Sequence, residues 1–444
     1  MGSVRAAGTL LACALLVCGC SSPYLPPAGA LPQLSARPAG ARYTGKLHVR
    51  EWSKDKPSSL VLVHGLGNRG SADFDSIVPS LAEHFHVVAF DLPGFAESPA
   101  ANHDFTPEGY AQVLEDVVRT YTTPPADVLG HSLGGAVSLF FAGTRPNLVR
   151  RLILVSVAGI LHRDALAPQQ LAAPIGERSG VLGHAAATLV NTTLTVTDRV
   201  DPDSAMTVRL ARGDSTASAA IALINTDFGP ALEGITAPTL LIWGDRDSVA
   251  PLRTAYLLDS RIRSSRLAVL AGVGHVPMAE RPTEVVKLAL SQLGSARLPA
   301  NDTPQPQSSS QVVTCDNETD RVITGRLRRV ELEGCQRIEL RDATLERLIV
   351  VDSEVSLVNV SIHAARGAAL SSRGSTVVAT GGSIAGEVGM ELDDSRLDLA
   401  GVAIRATRHP ILVREPSHAL FSACSGQGPS GRIHVHGEVE LSAE

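Results

Sequence analysis

The chain is short of several things, and each shortage narrows what it can be. After residue 17 no apolar run is long enough to cross a bilayer, so any attachment to a membrane has to be made through something other than a spanning helix. The formal charge is only −6 over 444 residues, with no basic stretch, which removes the electrostatic footprint of a nucleic-acid binder. Beyond residue 20 the only cysteines are Cys315, Cys335 and Cys424, and no clustered His/Cys set stands at ligand spacing; no metal or cofactor is implied. Lysine stops at Lys287. Aromatic residues are missing from Leu161 to Asp227, and Phe421 is the only one after residue 312. Flat rings are what sugars commonly stack on, so neither stretch carries the usual sugar platform.

What is present begins with Gly130-His131-Ser132-Leu133-Gly134, a G-x-S-x-G sequence. Ala126-Asp127-Val128-Leu129 before it reads as the end of a buried strand. Gly135 to Ala142 after it, small residues and then bulky ones, can open a helix. A serine on so sharp a strand-to-helix turn has its hydroxyl pushed into the open, and the helix aims free N–H groups at the same place. Three further segments follow the same grammar. Leu60-Val61-Leu62-Val63 runs into His64-Gly65-Leu66-Gly67. Leu240-Leu241-Ile242-Trp243 ends at Gly244-Asp245-Arg246-Asp247. Leu267-Ala268-Val269-Leu270 precedes Gly272-Val273-Gly274-His275-Val276-Pro277.

Together, in the order Ser, Asp, His, these segments resemble the α/β-hydrolase superfamily over residues 43–294. The resemblance implies an α/β fold and a nucleophile at Ser132 with His275 as its base. In this family the residue after the His-Gly pair and the residue after the nucleophile lend backbone N–H groups to the oxyanion hole, here Leu66 and Leu133. Two acids compete. Gly244 to Pro251 resembles the family's G-x-x-D-x-x-x-P turn, which selects Asp247, with Asp245 as runner-up. The strand Arg151 to Ala158 ends in Ser156 and small residues, where some members carry the acid. Asp91, in Asp91-Leu92-Pro93-Gly94, resembles a brace and not a catalytic group. His64 reads as structural and His131 as a support. Residues 160–236 lie where the family inserts a cap. Its aliphatic composition suits an apolar acyl or alkyl group, or simply packs the cap itself. Ser132 argues against the dehalogenases and epoxide hydrolases, which use an Asp nucleophile. The implied activity is hydrolysis of a small apolar ester-type substrate; cleavage of a C–C or amide bond by the same triad, and a non-catalytic envelope glycan-binding scaffold, are the alternatives.

Residues 1–20 read as a targeting segment: Arg5, then an apolar run from Ala6 to Val17. Val17-Cys18-Gly19-Cys20 resembles a bacterial lipoprotein cleavage box with Cys20 as the lipidated residue; an ordinary cleaved signal peptide is the alternative. Ser21 and Ser22 favour the outer membrane of the cell envelope. Residues 21–42 read as a tether.

Residues 295–312 form a Pro/Gln/Ser linker with no apolar pattern for docking. Beyond it, over 313–444, short alternating segments begin at Ser353, Ser375, Ser395 and Ser417, spaced by 22, 20 and 22 residues. That period resembles a right-handed parallel β-helix, an all-β solenoid whose coils share a core; a β-sandwich is the alternative. On the β-helix reading, Cys315 and Cys335 stand one coil apart, within disulfide reach, and Cys424 is left over. Asp393-Asp394 beside Arg396 is the only cluster suggesting a polysaccharide lyase. The coils offer no evident chemistry of their own, though envelope polysaccharide is a candidate partner.

Overall fold

The computed structural model describes residues 43–161, 213–294 and 311–442. The targeting segment with Cys20, the tether, most of the cap and the linker as far as residue 310 lie outside the described residues.

The first part of the chain builds a seven-stranded sheet. In chain order the elements are β1 (Val49–Trp52), β2 (Ser59–Val63), α1 (Val78–Ala82), β3 (His86–Phe90), α2 (Pro107–Tyr121), β4 (Ala126–His131), α3 (Leu133–Thr144) and β5 (Val149–Val155). After the cap come α4 (Ser215–Ile224), α5 (Gly229–Gly234), β6 (Thr239–Gly244), α6 (Leu252–Arg261), β7 (Ser265–Leu270), α7 (Pro277–Glu280) and α8 (Pro282–Gly294). The strand order is β1-β3-β2-β4-β5-β6-β7, with β1 antiparallel and the others parallel. Strands β3, β4 and β6 are buried at every position. Residues 87–90 and 240–243 can run apolar without a break because helices cover both faces of the sheet, whereas β4 carries Asp127, ion-paired with Arg150. One face packs Val61, Phe90 and Leu154 with Leu114 and Val118 of α2 and Val137 and Phe141 of α3. The other packs Leu60, Leu62 and Ile242 with Leu81 of α1 and Val285 and Ala289 of α8. Helix α2 starts as its residues dictate: the Thr106 hydroxyl accepts from the Gly109 N–H at 3.0 Å, and Pro107 occupies the first turn.

The last part is an all-β domain whose parallel strands form a closed, barrel-like sheet. Its strands are β8 (Val312–Asp316), β9 (Val322–Glu333), β10 (Ile338–Val351), β11 (Glu354–Val358), β12 (Ser361–His363), β13 (Ala368–Arg373), β14 (Thr376–Thr380), β15 (Ser383–Asp393), β16 (Arg396–Ala400), β17 (Ala403–Val413), β18 (Ser417–Gly428) and β19 (Gly431–Leu441). The pairings Glu354↔Thr376, Thr376↔Arg396 and Arg396↔His418 each join a residue to the one a repeat further on. The antiparallel strand β19 covers β18 and closes the far end of the stack.

The repeat serines have a physical reason. Ser353, Ser375, Ser395 and Ser417 are buried, and each hydroxyl donates to the carbonyl two residues earlier. The hydroxyls of Ser353, Ser375 and Ser417 also accept a backbone N–H from the preceding coil, those of Cys335, Ser353 and Ser395. A small hydroxyl at each corner therefore satisfies backbone groups that the bend withdraws from the ladder. Cys315 and Cys335 form a disulfide with Cα atoms 6.5 Å apart. Cys424 is free and fully buried, and burial pushes its thiol up to about 11.

The linker has no apolar pattern for docking, yet the coils pack against the first part of the chain through residues elsewhere. Ala400, Leu420 and Ala423 of the coils join the same apolar cluster as Leu257 and Leu258 of α6. At its edge the Arg253 guanidinium enters the coil corner. It meets both carboxylate oxygens of Asp398 at 2.6 and 2.9 Å, Thr380 Oγ1 at 2.7 Å, and the carbonyls of Ala379 and Asp398 at 3.1 and 3.2 Å. Arg261 reaches Ser425 Oγ, and Glu233 next to α5's end pairs with Arg432. Docking surfaces on both sides come from residues far apart in sequence, so a featureless linker says nothing about them.

Candidate active site

The site is assembled at the carboxyl ends of the central strands, where parallel sheets leave their loops free to converge. Strand β4 ends at His131, and Ser132 turns the chain into α3 with φ 53° and ψ −118°. A non-glycine residue held in that region stores strain, and the surroundings over-determine it. A Cβ on Gly130 would meet the Gly134 carbonyl oxygen at 2.3 Å; one on Gly134 would meet the Val63 carbonyl oxygen at 2.1 Å. Both glycines of the motif are there because backbone passes backbone at those points.

His275 lies between two partners. Its Nδ1 is 3.0 and 2.9 Å from Asp247 Oδ1 and Oδ2, and its Nε2 is 3.0 Å from Ser132 Oγ. Beside a carboxylate, Nδ1 carries the proton, which leaves the Nε2 lone pair facing the serine hydroxyl. The Asp247 side chain is fully buried, and its Oδ1 also accepts N–H bonds from Val249 at 2.9 Å and Ala250 at 2.8 Å. Those donors stabilise the charged carboxylate without water. Asp245, the competing acid, is exposed and accepts the Gly272 N–H at 2.7 Å, so it ties the two loops together from outside. Ser156 is buried with φ 46°, and its hydroxyl has no hydrogen-bond partner among the described residues.

The loop after β2 supplies the other wall. Leu66 follows Gly65, where an added Cβ would come within 2.9 Å of Ser132 Cβ, so the loop passes too close to the serine to carry a side chain at that position. Leu133 is the first residue of α3 and is buried. His64 does more than fill space. Its Nε2 accepts the Leu92 N–H at 2.8 Å, which requires the proton on Nδ1, and Nδ1 donates to the Gly65 carbonyl at 2.7 Å. Burial lowers its pKa and keeps this neutral tautomer. The Gly65–Leu66 peptide is planar and trans, so fixing its carbonyl fixes the opposed Leu66 N–H.

His131 is likewise a brace. Its Nε2 donates to the His275 carbonyl at 2.8 Å; burial first, then the nearby His275, pushes its pKa down to about 3. Asp91 accepts N–H bonds from Ser71 and Glu97 and so holds its loop, as its motif implies. Two residues with no signature in the sequence also act here. Glu280 accepts from the N–H groups of Gly274 and Val276, on either side of His275. The Trp243 indole donates to the Ala250 carbonyl at 2.7 Å and pins the turn after Asp247. Both act through contacts to backbone, which residue type and spacing do not record.

On the cap side, Leu223 of α4 fills the space that a Cβ on Gly159 would occupy. The helix carrying it, Ser215–Ile224, has no aromatic residue.

Comparison with known proteins agrees on the first part of the chain. Residues 59–282 match the alpha/beta hydrolase fold family. A pimeloyl-[acyl-carrier protein] methyl ester esterase of Neisseria meningitidis serogroup B is 32% identical over 241 residues, 51% of this chain and 90% of that protein. An uncharacterized protein of Mycobacterium tuberculosis is 26% identical over 260 residues, 52% of this chain and 73% of that one. Among solved structures, the enol-lactonase from Burkholderia xenovorans LB400 covers 56% of this chain and 97% of its own, at 22% identity and a TM-score of 0.44.

Proposed function

The chain belongs to the alpha/beta hydrolase fold family, and from that premise we propose that it hydrolyses ester-type bonds through an acyl-enzyme on Ser132. One observation carries the reading: the relay Ser132 Oγ, His275 Nε2, His275 Nδ1, Asp247 is continuous, with every link at 3.0 Å or less. Ser132 Oγ attacks the carbonyl carbon while His275 Nε2 takes its proton. The same nitrogen returns the proton to the leaving alkoxide. Water then enters along the same path and releases the acid. Asp247 keeps the productive tautomer and stabilises the imidazolium that forms. The N–H groups of Leu66 and Leu133 receive the oxyanion, the first held by the His64 brace. Donors fixed before reaction need no reorganisation during it. The similarity to a methyl ester esterase supports an ester over an amide or C–C bond, and the aliphatic α4, whose Leu223 packs on Gly159, supports an apolar acyl group.

We place this hydrolase on the bacterial cell envelope, lipid-anchored at Cys20 and favouring the outer membrane. That part of the proposal rests on the pattern of residues 1–22.

A series of p-nitrophenyl esters of graded chain length tests the reaction. Ser132→Ala should abolish turnover and fluorophosphonate labelling. Asp247→Asn should lower kcat by about 10³–10⁴, and Asp245→Asn by less than about tenfold. Labelling that survives Ser132→Ala, or a larger loss from Asp245→Asn, would refute the assignment.

A further inference from the structure

The loop that carries His275 has no regular structure of its own to hold it. Residues 271–276 belong to no helix or strand, and Gly272 stands in the left-handed region at φ 71°. What holds the loop is a set of bonds to the turns that carry the other two members of the relay. The Val273 carbonyl accepts the N–H of Arg246, the neighbour of Asp247, at 2.9 Å. The His275 carbonyl accepts from Nε2 of His131, the neighbour of Ser132, at 2.8 Å. A Cβ on Gly244 would meet the carbonyl oxygens of Val273 and Gly274 at 2.1 and 2.4 Å, so the loop also lies hard against the end of β6.

Glu280 completes both anchors. Its Oε2 accepts the Gly274 N–H at 2.9 Å, and its Oε1 accepts the Val276 N–H at 3.3 Å. The first N–H belongs to the same planar peptide as the Val273 carbonyl, and the second to the same one as the His275 carbonyl. Each peptide is therefore gripped at both ends, once by Glu280 and once by a neighbour of Asp247 or Ser132. These two peptides flank the one that joins Gly274 to His275, so the imidazole projects from backbone fixed on either side. The carboxylate reaches back from the last residue of α7, and Arg281 beside it pairs with Glu284.

We propose that Glu280 is a positioning residue for His275, acting on it through the two backbone N–H groups that its carboxylate bridges. This rests on the reading of His275 as the general base. The effect belongs in kcat. Proton transfer runs between Ser132 Oγ and His275 Nε2 across 3.0 Å, and displacing a reacting group by about 1 Å costs on the order of 10²-fold. Glu280 meets the substrate nowhere in this scheme, so KM should hardly move. Glutamine has the right length and only one acceptor oxygen; its NH₂ group would confront the second N–H. Replacement by glutamine therefore breaks one anchor and keeps the volume.

The test is steady-state hydrolysis of a p-nitrophenyl ester by the full-length protein and its Glu280→Gln and Glu280→Ala variants, with thermal melting run alongside. In Glu280→Ala kcat should fall by about 30- to 100-fold, in Glu280→Gln by about tenfold, and KM should stay within about threefold in both. Ser76→Ala is the control for a general loosening of the turn. It removes the 2.8 Å bond from Ser76 Oγ to the Met278 carbonyl, on the outer side of α7. Its kcat should stay within about twofold of the parent. Should Glu280→Ala fail to fold, Glu280→Gln carries the test alone. Three outcomes would overturn the proposal: a kcat within about threefold of the parent in the folded Glu280 variants, a loss confined to KM, or an equal loss of kcat from Ser76→Ala. The parent separates the two readings. If it neither turns over esters nor takes a fluorophosphonate label, the hydrolase reading fails; if it does both and the Glu280 variants match it, only the positioning role fails.

Discussion

Removing the guanidinium of Arg253 is the sharpest test of how the two parts of the molecule are joined. Its side chain is 9% exposed and makes five hydrogen bonds to the coil corner, two of them to the Asp398 carboxylate. Arg253→Ala leaves that carboxylate facing a void together with one hydroxyl and two carbonyls that have lost a donor. Breaking one side of a buried ion pair costs about 3–5 kcal/mol. Asp398 keeps 25% of its side chain in solvent, so water recovers part of this, and about 3 kcal/mol is the expected loss. Arg253→Lys should recover little, because an ammonium cannot serve the two carboxylate oxygens and the carbonyls at once. Urea unfolding followed by tryptophan fluorescence is a suitable assay, since Trp243 is buried under the turn that leads into α6. The double variant Arg253→Ala/Asp398→Ala should be more stable than the sum of the single losses predicts. A chain ending near Ala296 should be less stable than Arg253→Ala, because it also uncovers the cluster that Ala400, Leu420 and Ala423 complete. A loss below about 1 kcal/mol for Arg253→Ala would refute the reasoning and return the coils to the status of a loosely tethered module.

Two further predictions concern other regions. Burial raises the carboxyl of Asp73 to about 6, with Arg69 opposing and Asp75 and Asp91 adding to the rise. A raised carboxyl pKa means that the folded chain holds a proton the unfolded chain has released, so its cost is absent below about pH 4, grows to about pH 6 and is full above that. Asp73→Asn should therefore raise the melting temperature at pH 8, by an amount equivalent to roughly 1–2 kcal/mol, and leave it unchanged at pH 4; a gain that is largest at pH 4 would contradict the sign. Cys20→Ala should release the protein from the membrane fraction and remove incorporation of a palmitate analogue. A parent chain whose mature end lies within residues 21–42 without lipid would rule the anchor out.

What the sequence made legible follows from where each signal is stored. The hydrolase strands stand out because a parallel sheet covered on both faces needs apolar runs, and residues 87–90 of β3 and 240–243 of β6 are such runs. Ser132 and His275 stand out because the turns that hold them need Gly or Pro at fixed offsets; Gly134 cannot carry a Cβ without striking the Val63 carbonyl. Asp247 could be told from Asp245 only by resemblance, since the physical distinction lies in burial and in the N–H groups of Val249 and Ala250. The coil repeat showed through its serines because each corner needs the same small hydroxyl.

Braces and docking were hidden for one common reason. Glu280 and Trp243 act on backbone atoms of neighbouring loops, and a backbone partner leaves no residue type to read. Arg253 looks like any arginine on the outer face of a helix, and Asp398 like any outward position of an alternating strand; 145 residues separate them. Each is unremarkable alone, and only the fold makes them a pair. An arginine that the structure pairs is explained by the structure.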